Sequence, residues 1–538
     1  MNESFREAII KLQDNKFLSP EPEVALVNFF DKPFDNAVAT ARTCYSSHGI
    51  ISAEQVSGEL APNEEREAVQ QKRDDLARSI YKAGHHTTFQ HAQFQFAIAN
   101  VSRQFIWSFL HSHPFYNSEQ VSQRYVHVDP AQMAIPPLTG KALELYQKTI
   151  QFQTQQYESL TQLLYPLVAN EYQKRFKQIQ NKKAQSAIRK KCQEVARYVL
   201  PVATFAYLYH TISGITLLRY WRVCQLEDVP FEQKIVVGKM IQFLLEKFPE
   251  YQAILEEPLN ENEMTKFQGG TVTAETKSIN QQFREEFDAQ LGGYSSKLMD
   301  YSHHAEATLA SAVREILGWP QAYISDGAAI ELVLNPEKNR YLGETLNLST
   351  HSKLTRCLAH VHYVFKKKIS HAGDSQNQRH RMILASRPSL NAFSFDEPDY
   401  VLPVLFQQDA TLSKQFHEIM DHIWDNICQL QRLEVSKEFI SYLFPNAVAI
   451  RMTESADLMN LHHKHAMRLC YNAQEEIWKA SLDEASQIRA VHPQIGKWLL
   501  PPCGLRFHAR TKPVCPEGER FCGVVVWKKD LSEYTRVI

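Results

Sequence analysis

Residues 24–45 read VALVNFFDKPFDNAVATARTCY, and residues 296–317 read SKLMDYSHHAEATLASAVREIL. Each opens with a short apolar run of strand character and passes into an alanine-rich amphipathic helix. Arg42 and Arg314 stand at the same offset, and the two stretches lie 272 residues apart. Further along, EVARYVLPVATFAYLY from Glu194 is matched by EFISYLFPNAVAIRMT from Glu438. Both contain a proline that breaks or kinks a helix. Each then leads to a segment ending at an arginine, LLRYWRVC near Arg222 and HHKHAMRLC near Arg468. Identity between the copies is low, but the same landmarks in the same order predict a duplicated domain. The polar run that begins EEPLNENEM at Glu256 marks the boundary.

A chain of 538 residues is too long for one ordinary core. The expected architecture is α+β, a tandem duplication with a first domain at 1–255, a linker at 256–290 and a second domain at 291–492. A small C-terminal module, 493–538, is expected to be β-rich, because turn dipeptides precede the run GVVVW. Lys and Arg total 59 against 60 Asp and Glu, a net charge of −1. That balance argues against a broadly basic nucleic-acid binder and leaves any anion to a local arginine site. The N-terminal stretch has no apolar core of signal-peptide length. The most apolar long stretch, residues 198–218, is interrupted by Pro201 and His210, so no membrane span is expected. Nine scattered cysteines favour a reducing compartment, and the cytoplasm is the expected location.

Residues 374–390, DSQNQRHRMILASRPSL, set Arg379, His380 and Arg381 side by side. Alone, such a run reads as a solvated basic turn. Arginine nevertheless offers a planar fork suited to carboxylate, phosphate or uracil-like carbonyl edges. The first copy has SHPFYNSEQVSQRY, from Ser112, in the corresponding place.

RHR, seven intervening residues and Ser389 together resemble the signature of the flavin-dependent thymidylate synthases. GHHTTFQHAQFQFAIANVSRQF, from Gly84, resembles that family's Gly-His-x-Ser/Thr-x-x-Glu-His block and the Ser-Arg after it, with Gln90 in place of Glu. SEQVSQRYV, from Ser118, is similar to the substrate loop and supplies Gln120, Ser122, Gln123, Arg124 and Tyr125. Arg468-Leu-Cys-Tyr-Asn-Ala-Gln474-Glu-Glu476-Ile resembles the family's Leu-Arg…Ala-Gln-x-Glu-Ile segment. The copies differ in complementary ways. The first keeps Ser122, Arg124 and Arg197 without RHR, and the second keeps RHR with Ser441 in place of Arg197.

The resemblance implies conversion of dUMP to dTMP, with a one-carbon unit from methylenetetrahydrofolate passed through FAD and NADPH reducing the flavin. It implies a composite site drawn from both copies. Arg379, His380 and Arg381 would meet FAD, with His85, Thr87 and Gln474 also on the cofactor side. Ser122, Arg124 and Arg197 would hold the dUMP phosphate and sugar, joined by Gln120, Gln123 and Gln376. Arg222 or Arg468 would lie against the pyrimidine, where a cation stabilises negative charge as the ring accepts hydride. No covalent nucleophile is implied. The family's homotetramer would be mimicked by a homodimer of two-domain chains. Two other readings stand beside it: a non-catalytic nucleotide- or flavin-binding homologue, and flavin-dependent methylation of another pyrimidine. In the tail, Cys503, His508, Cys515 and Cys522 make a candidate tetrahedral zinc set, with three reduced cysteines packed in a small module as the alternative.

Overall fold

The computed structural model of the chain describes residues 16–129, 131–176, 181–226, 229–259, 274–390 and 395–538. The first repeat runs β1 (Glu23–Phe29), α1 (Pro33–Thr43), β2 (Gln93–Ser102), α2 (Arg103–His111), β3 (Asn117–Gln120), α3 (Gly140–Leu163), α4 (Lys182–Ala196), β4 (Phe205–Ser213), α5 (Gly214–Val223) and α6 (Phe231–Lys247). The second begins with α7 (Ala274–Leu291), β5 (Ser296–Tyr301), α8 (Ala305–Leu317), β6 (His362–Ser370), α9 (His371–Asn377) and β7 (Leu384–Ser386). It continues through α10 (Ala410–Arg432), α11 (Lys437–Ser441), β8 (Ala449–Asp457), α12 (Leu458–Arg468), α13 (Glu475–Val491) and α14 (Pro502–His508).

Two antiparallel sheets result, ordered β1-β2-β4-β3 and β5-β6-β8-β7. Their irregularities coincide as well. β1 slips register against β2 between Leu26 and Asn28, and β5 slips against β6 between Leu298 and Asp300. A bulge at the same offset in both copies is a conformational trace of duplication. In β2 the inward Phe94, Phe96 and Ile98 alternate with half-exposed Gln95, Ala97 and Ala99, the period-2 pattern of a strand with one buried face. Ser102 ends that strand and caps α2 by accepting from the Phe105 amide at 2.9 Å. Ser370 does the same for α9 through the Gly373 amide, also at 2.9 Å.

The chain packs as two compact units, and neither is one repeat alone. The first comprises Met1–Gln151, Pro201–Gly270 and Leu430–Leu443. The second comprises Phe152–Leu200, Thr271–Gln429 and Phe444–Ile538. Each therefore takes in a helical piece of the other repeat, and each anchors that piece on a buried carboxylate. In the first unit, Glu232 accepts from the Ser102 amide at 2.7 Å and from the Tyr442 hydroxyl at 2.9 Å. In the second, Glu476 accepts from the Ser370 hydroxyl at 2.6 Å and from the Tyr198 hydroxyl.

The tail departs from the β-rich expectation. Among the described residues, 493–538 hold short helices and 3-10 turns, with Val526–Lys528 one of those turns and no strand. Val526, Leu531 and Tyr534 insert into the core of the second unit, so of the GVVVW run it is Val526 that is buried, with Val524 half-buried beside it and Val525 exposed, and none of it is paired along an edge. The stretch expected as a linker contributes α7, whose Asp288 pairs with Arg451 at 2.8 Å and Lys368 at 2.6 Å. No described helix is long and apolar enough to cross a membrane.

Candidate active site

In the second unit the site grows from the end of β6. Ser370 closes the strand and starts α9, and Gly373 brings that helix against Glu476. A Cβ at Gly373 would lie 3.0 Å from Glu476 Oε2. After α9 the chain turns, with the His380 amide donating to the Asn377 carbonyl at 3.0 Å and the Ile383 amide to the His380 carbonyl at 2.9 Å. The turn separates the three cation-capable residues, leaving Arg379 exposed and His380 and Arg381 half-buried.

His380 Nε2 accepts from Arg468 Nε at 2.9 Å. A guanidinium only donates, so this bond fixes His380 as the tautomer protonated at Nδ1. Burial, and then the Arg468 charge, hold its pKa well below the usual histidine range, so the ring is neutral. Arg468 Nη2 also donates to the Gln376 carbonyl at 2.9 Å, which leaves the guanidinium little freedom. The Gln474 amide N–H donates to Gln376 Oε1 at 3.2 Å, and Gln474 Oε1 accepts from Arg197 Nη2 at 3.0 Å. Gln474 Nε2 donates to the Tyr198 hydroxyl, which donates onward to Glu476. Burial pushes the Glu476 carboxyl pKa up. Arg197, Gln376, His380, Arg468 and Gln474 are thus one connected set, with an arginine of the first repeat built into the second repeat's site.

In the first unit, Ser122 and Gln123 line a pocket of about 190 Å³ with Arg103, Asn100, Asp129 and Tyr207. Arg103, which leads α2, braces the loop by donating to Gln120 Oε1 at 3.0 Å and to the Val121 carbonyl at 2.7 Å. Ser122 Oγ accepts from the Arg124 amide at 3.3 Å, and the Arg124 guanidinium lies 5.4 Å from the Tyr125 ring centroid. A cleft of about 900 Å³ shares Ala99, Val121 and Tyr207 with this pocket.

Several sequence expectations divide here. Arg197 joins Gln474 in the second unit, whereas Ser122 and Arg124 belong to the first. Arg222 is turned onto Glu256 at 3.1 Å and the Glu257 carbonyl, and it does not line the pocket of the Ser122 loop. Arg387, directly after β7, is held by both oxygens of buried Asp374 at 2.7 and 2.9 Å. His85 and Thr87 are exposed at the start of a short 3-10 turn of the first unit, His86–Gln90. Of the candidate zinc set, Cys515 and Cys522 lie close enough to Cys503 that, after burial, they and Cys470 help push its thiol pKa up to about 12. His508 packs edge-on against Trp498 at 5.4 Å, Cys503 and Cys522 lie against the second core, and among the described residues no group of three or more His, Cys, Asp or Glu could hold a metal ion. Tyr198, Glu476 and Arg103 escaped the sequence reading as site residues. The available signal was Tyr442, which stands in the second copy where Tyr198 stands in the first.

Fold and site together define a class, a tandem α+β chain carrying an arginine-and-amide site suited to planar anionic ligands. A family model described as thymidylate synthase complementing protein matches residues 25–250 and 297–494, and the chain belongs to that family. The flavin-dependent thymidylate synthase of Clostridium tetani is 26% identical over 249 residues, 43% of this chain and 94% of the relative. That of Saccharolobus solfataricus is 27% identical over 148 residues, 27% of this chain and 56% of the relative. Among solved structures, a UMP/dUMP methylase PolB from Streptomyces cacaoi bound with 5-Br dUMP is similar at 19% identity and a TM-score of 0.30, over 45% of this chain and 99% of that one.

Proposed function

We propose that this chain methylates dUMP to dTMP as a flavin-dependent synthase, using methylenetetrahydrofolate, FAD and NADPH. The observation that carries the reading is the connected set Arg197–Gln474–Gln376–Arg468–His380. It offers two immobilised cations and two amides around a neutral imidazole, a donor set that fits phosphate and the carbonyl edge of a planar ring.

Arg379 and Arg381 would hold the diphosphate of FAD, and the flavin, when bound, supplies the redox chemistry. Arg468, fixed by His380 and Gln376, would stabilise negative charge on the pyrimidine. Arg197, oriented by Gln474, would take the nucleotide phosphate or a ring carbonyl. In the first unit Ser122, Gln123 and Arg124 would act as nucleotide-binding groups, with Gln120 held by Arg103; both the loop and the cation turn are needed in this reading. Two chains would associate as a homodimer in the cytoplasm.

The test is the absorbance spectrum of the purified full chain. A bound flavin whose spectrum shifts on titration with dUMP, together with rescue of a thymidine-requiring cell, supports the synthase. Absence of flavin and of any dUMP response overturns it. A second reading, a nucleotide- or flavin-binding homologue without catalysis, is favoured by the engagement of Arg387 with Asp374 and of Arg222 with Glu256. It predicts binding without rescue. Methylation of another pyrimidine predicts flavin binding with a spectral response to a nucleotide other than dUMP.

A further inference from the structure

Beneath the cation turn of the second unit lies a quartet of buried charges. Lys367 from β6 and Lys464 from α12 each contact both Glu454 from β8 and Glu484 from α13. Lys367 Nζ stands 2.6 Å from Glu484 Oε1 and Lys464 Nζ 3.1 Å from Glu484 Oε2. All four side chains are at most 2% exposed. Glu484 also accepts from Ser296 Oγ at 2.9 Å and from His465 Nε2 at 2.9 Å. Glu454 Oε2 accepts from Asn377 Nδ2 at 2.7 Å. Asn377 ends α9, and its carbonyl receives the His380 amide.

The first repeat supplies an internal control. Counting from Pro201 and Pro445, His210 occupies the position of Glu454. By pairing register, Ile98 opposite Leu208 matches Lys367 opposite Met452. From the caps Ser213 and Asp457, Tyr220 matches Lys464, and from Ser102 and Ser370, Phe109 matches Asn377. From the paired carboxylates Glu232 and Glu476, Met240 matches Glu484. The first unit fills these places with an apolar and aromatic cluster, in which Phe109 lies 4.7 Å from His210 and 4.9 Å from Tyr220 between ring centroids. The same topology therefore forms without the charges. Burying an ion quartet where well-packed apolar groups suffice is seldom the cheaper route to stability. The copy with RHR has the quartet, and the copy without RHR lacks it.

We propose that Glu454, Lys464 and Asn377 are positioning residues: the quartet holds the end of α9 through Asn377 and the course of α12 through Lys464. It thereby sets His380 and Arg468 against each other. Lys464 lies one turn before Arg468 on α12, so both partners of the Arg468–His380 bond spring from elements tied to one buried ionic node. The consequence for ligand binding rests on the flavin reading above; the ordering of the turn does not.

The experiment measures amide hydrogen exchange of the full chain and flavin binding in parallel. Asn377→Leu keeps the volume and removes the donor to Glu454. Exchange across residues 378–383 should rise at least tenfold while β6, β8 and α12 keep their protection, and flavin affinity should fall about tenfold. The double exchange Asn377→Asp with Glu454→Gln restores the bond with donor and acceptor reversed and conserves charge, and it should recover both readouts. Unchanged exchange in residues 378–383, or a general loss of protection with no recovery in the double variant, overturns the proposal and leaves the quartet as core filling. If the native chain binds no flavin, the functional reading fails, while the exchange result still decides the positioning role.

Discussion

Arg197 shows what a single side chain does here. It is 7% exposed, and its bond to Gln474 orients the amide that also meets Tyr198. Arg197→Ala removes a charged donor and leaves that amide short of a partner, a loss of roughly 1–3 kcal/mol. dUMP affinity, read from the flavin spectrum, should weaken about tenfold or more. Arg197→Lys should not restore it, because an ammonium lacks the planar fork. Gly373 makes the opposite point, since what matters is an absent atom. With Glu476 carboxylate atoms 3.0 to 3.3 Å from where a Cβ would stand, Gly373→Ala should lower stability by about 1–3 kcal/mol. Thermal unfolding of the full chain checks this, and a melt equal to the native one would show that Glu476 can yield. RHR was legible in the sequence as a cluster, but its division into an exposed arginine, a half-buried neutral histidine and a half-buried arginine was not. That division depends on which element packs over the turn.

At the scale of elements, each sheet delivers a strand into a Ser-capped helix and locks the junction with a buried carboxylate from a later helix. Glu232 is the sharper case. Burial raises its pKa from 4.5 to about 7, against the opposing bonds from Ser102 and Tyr442. The folded chain therefore holds this proton more tightly than the unfolded chain does. The stabilisation is fully present below pH 4.5 and is lost as pH rises through about 7, and it amounts to on the order of 3 kcal/mol. Glu232→Gln, which stays permanently neutral, should flatten the fall in stability between pH 4.5 and 7, as measured by denaturant unfolding at a series of pH values. An unchanged pH profile would show that the carboxyl titrates normally. The cap serines were visible as residues preceding helices. Their carboxylate partners lie 130 and 106 positions away, beyond the reach of local pattern.

At the scale of the molecule, each unit is completed by the other repeat. Tyr442 and Glu438 belong to the first unit, where Glu438 receives the Phe231 amide; Arg197 and Tyr198 belong to the second. A chain cut between Leu259 and Ala274 should give halves that are poorly soluble when expressed singly and that assemble into a folded pair when co-expressed, as judged by size and circular dichroism. Two independently folded, soluble halves would show that the exchanged segments are dispensable. The duplication, the α+β class and the family were written in the sequence, because repeated hydrophobic periods and motif order survive where identity does not. The sequence also carried the complementary loss of RHR and Arg197. Only the tertiary structure decided that Arg197 serves the RHR copy, that the tail is helical and turned rather than stranded, and that ions replace aromatics under one site alone. The reason is physical: a side chain's role here is set by burial and by partners as far as 278 residues distant, and local sequence encodes neither.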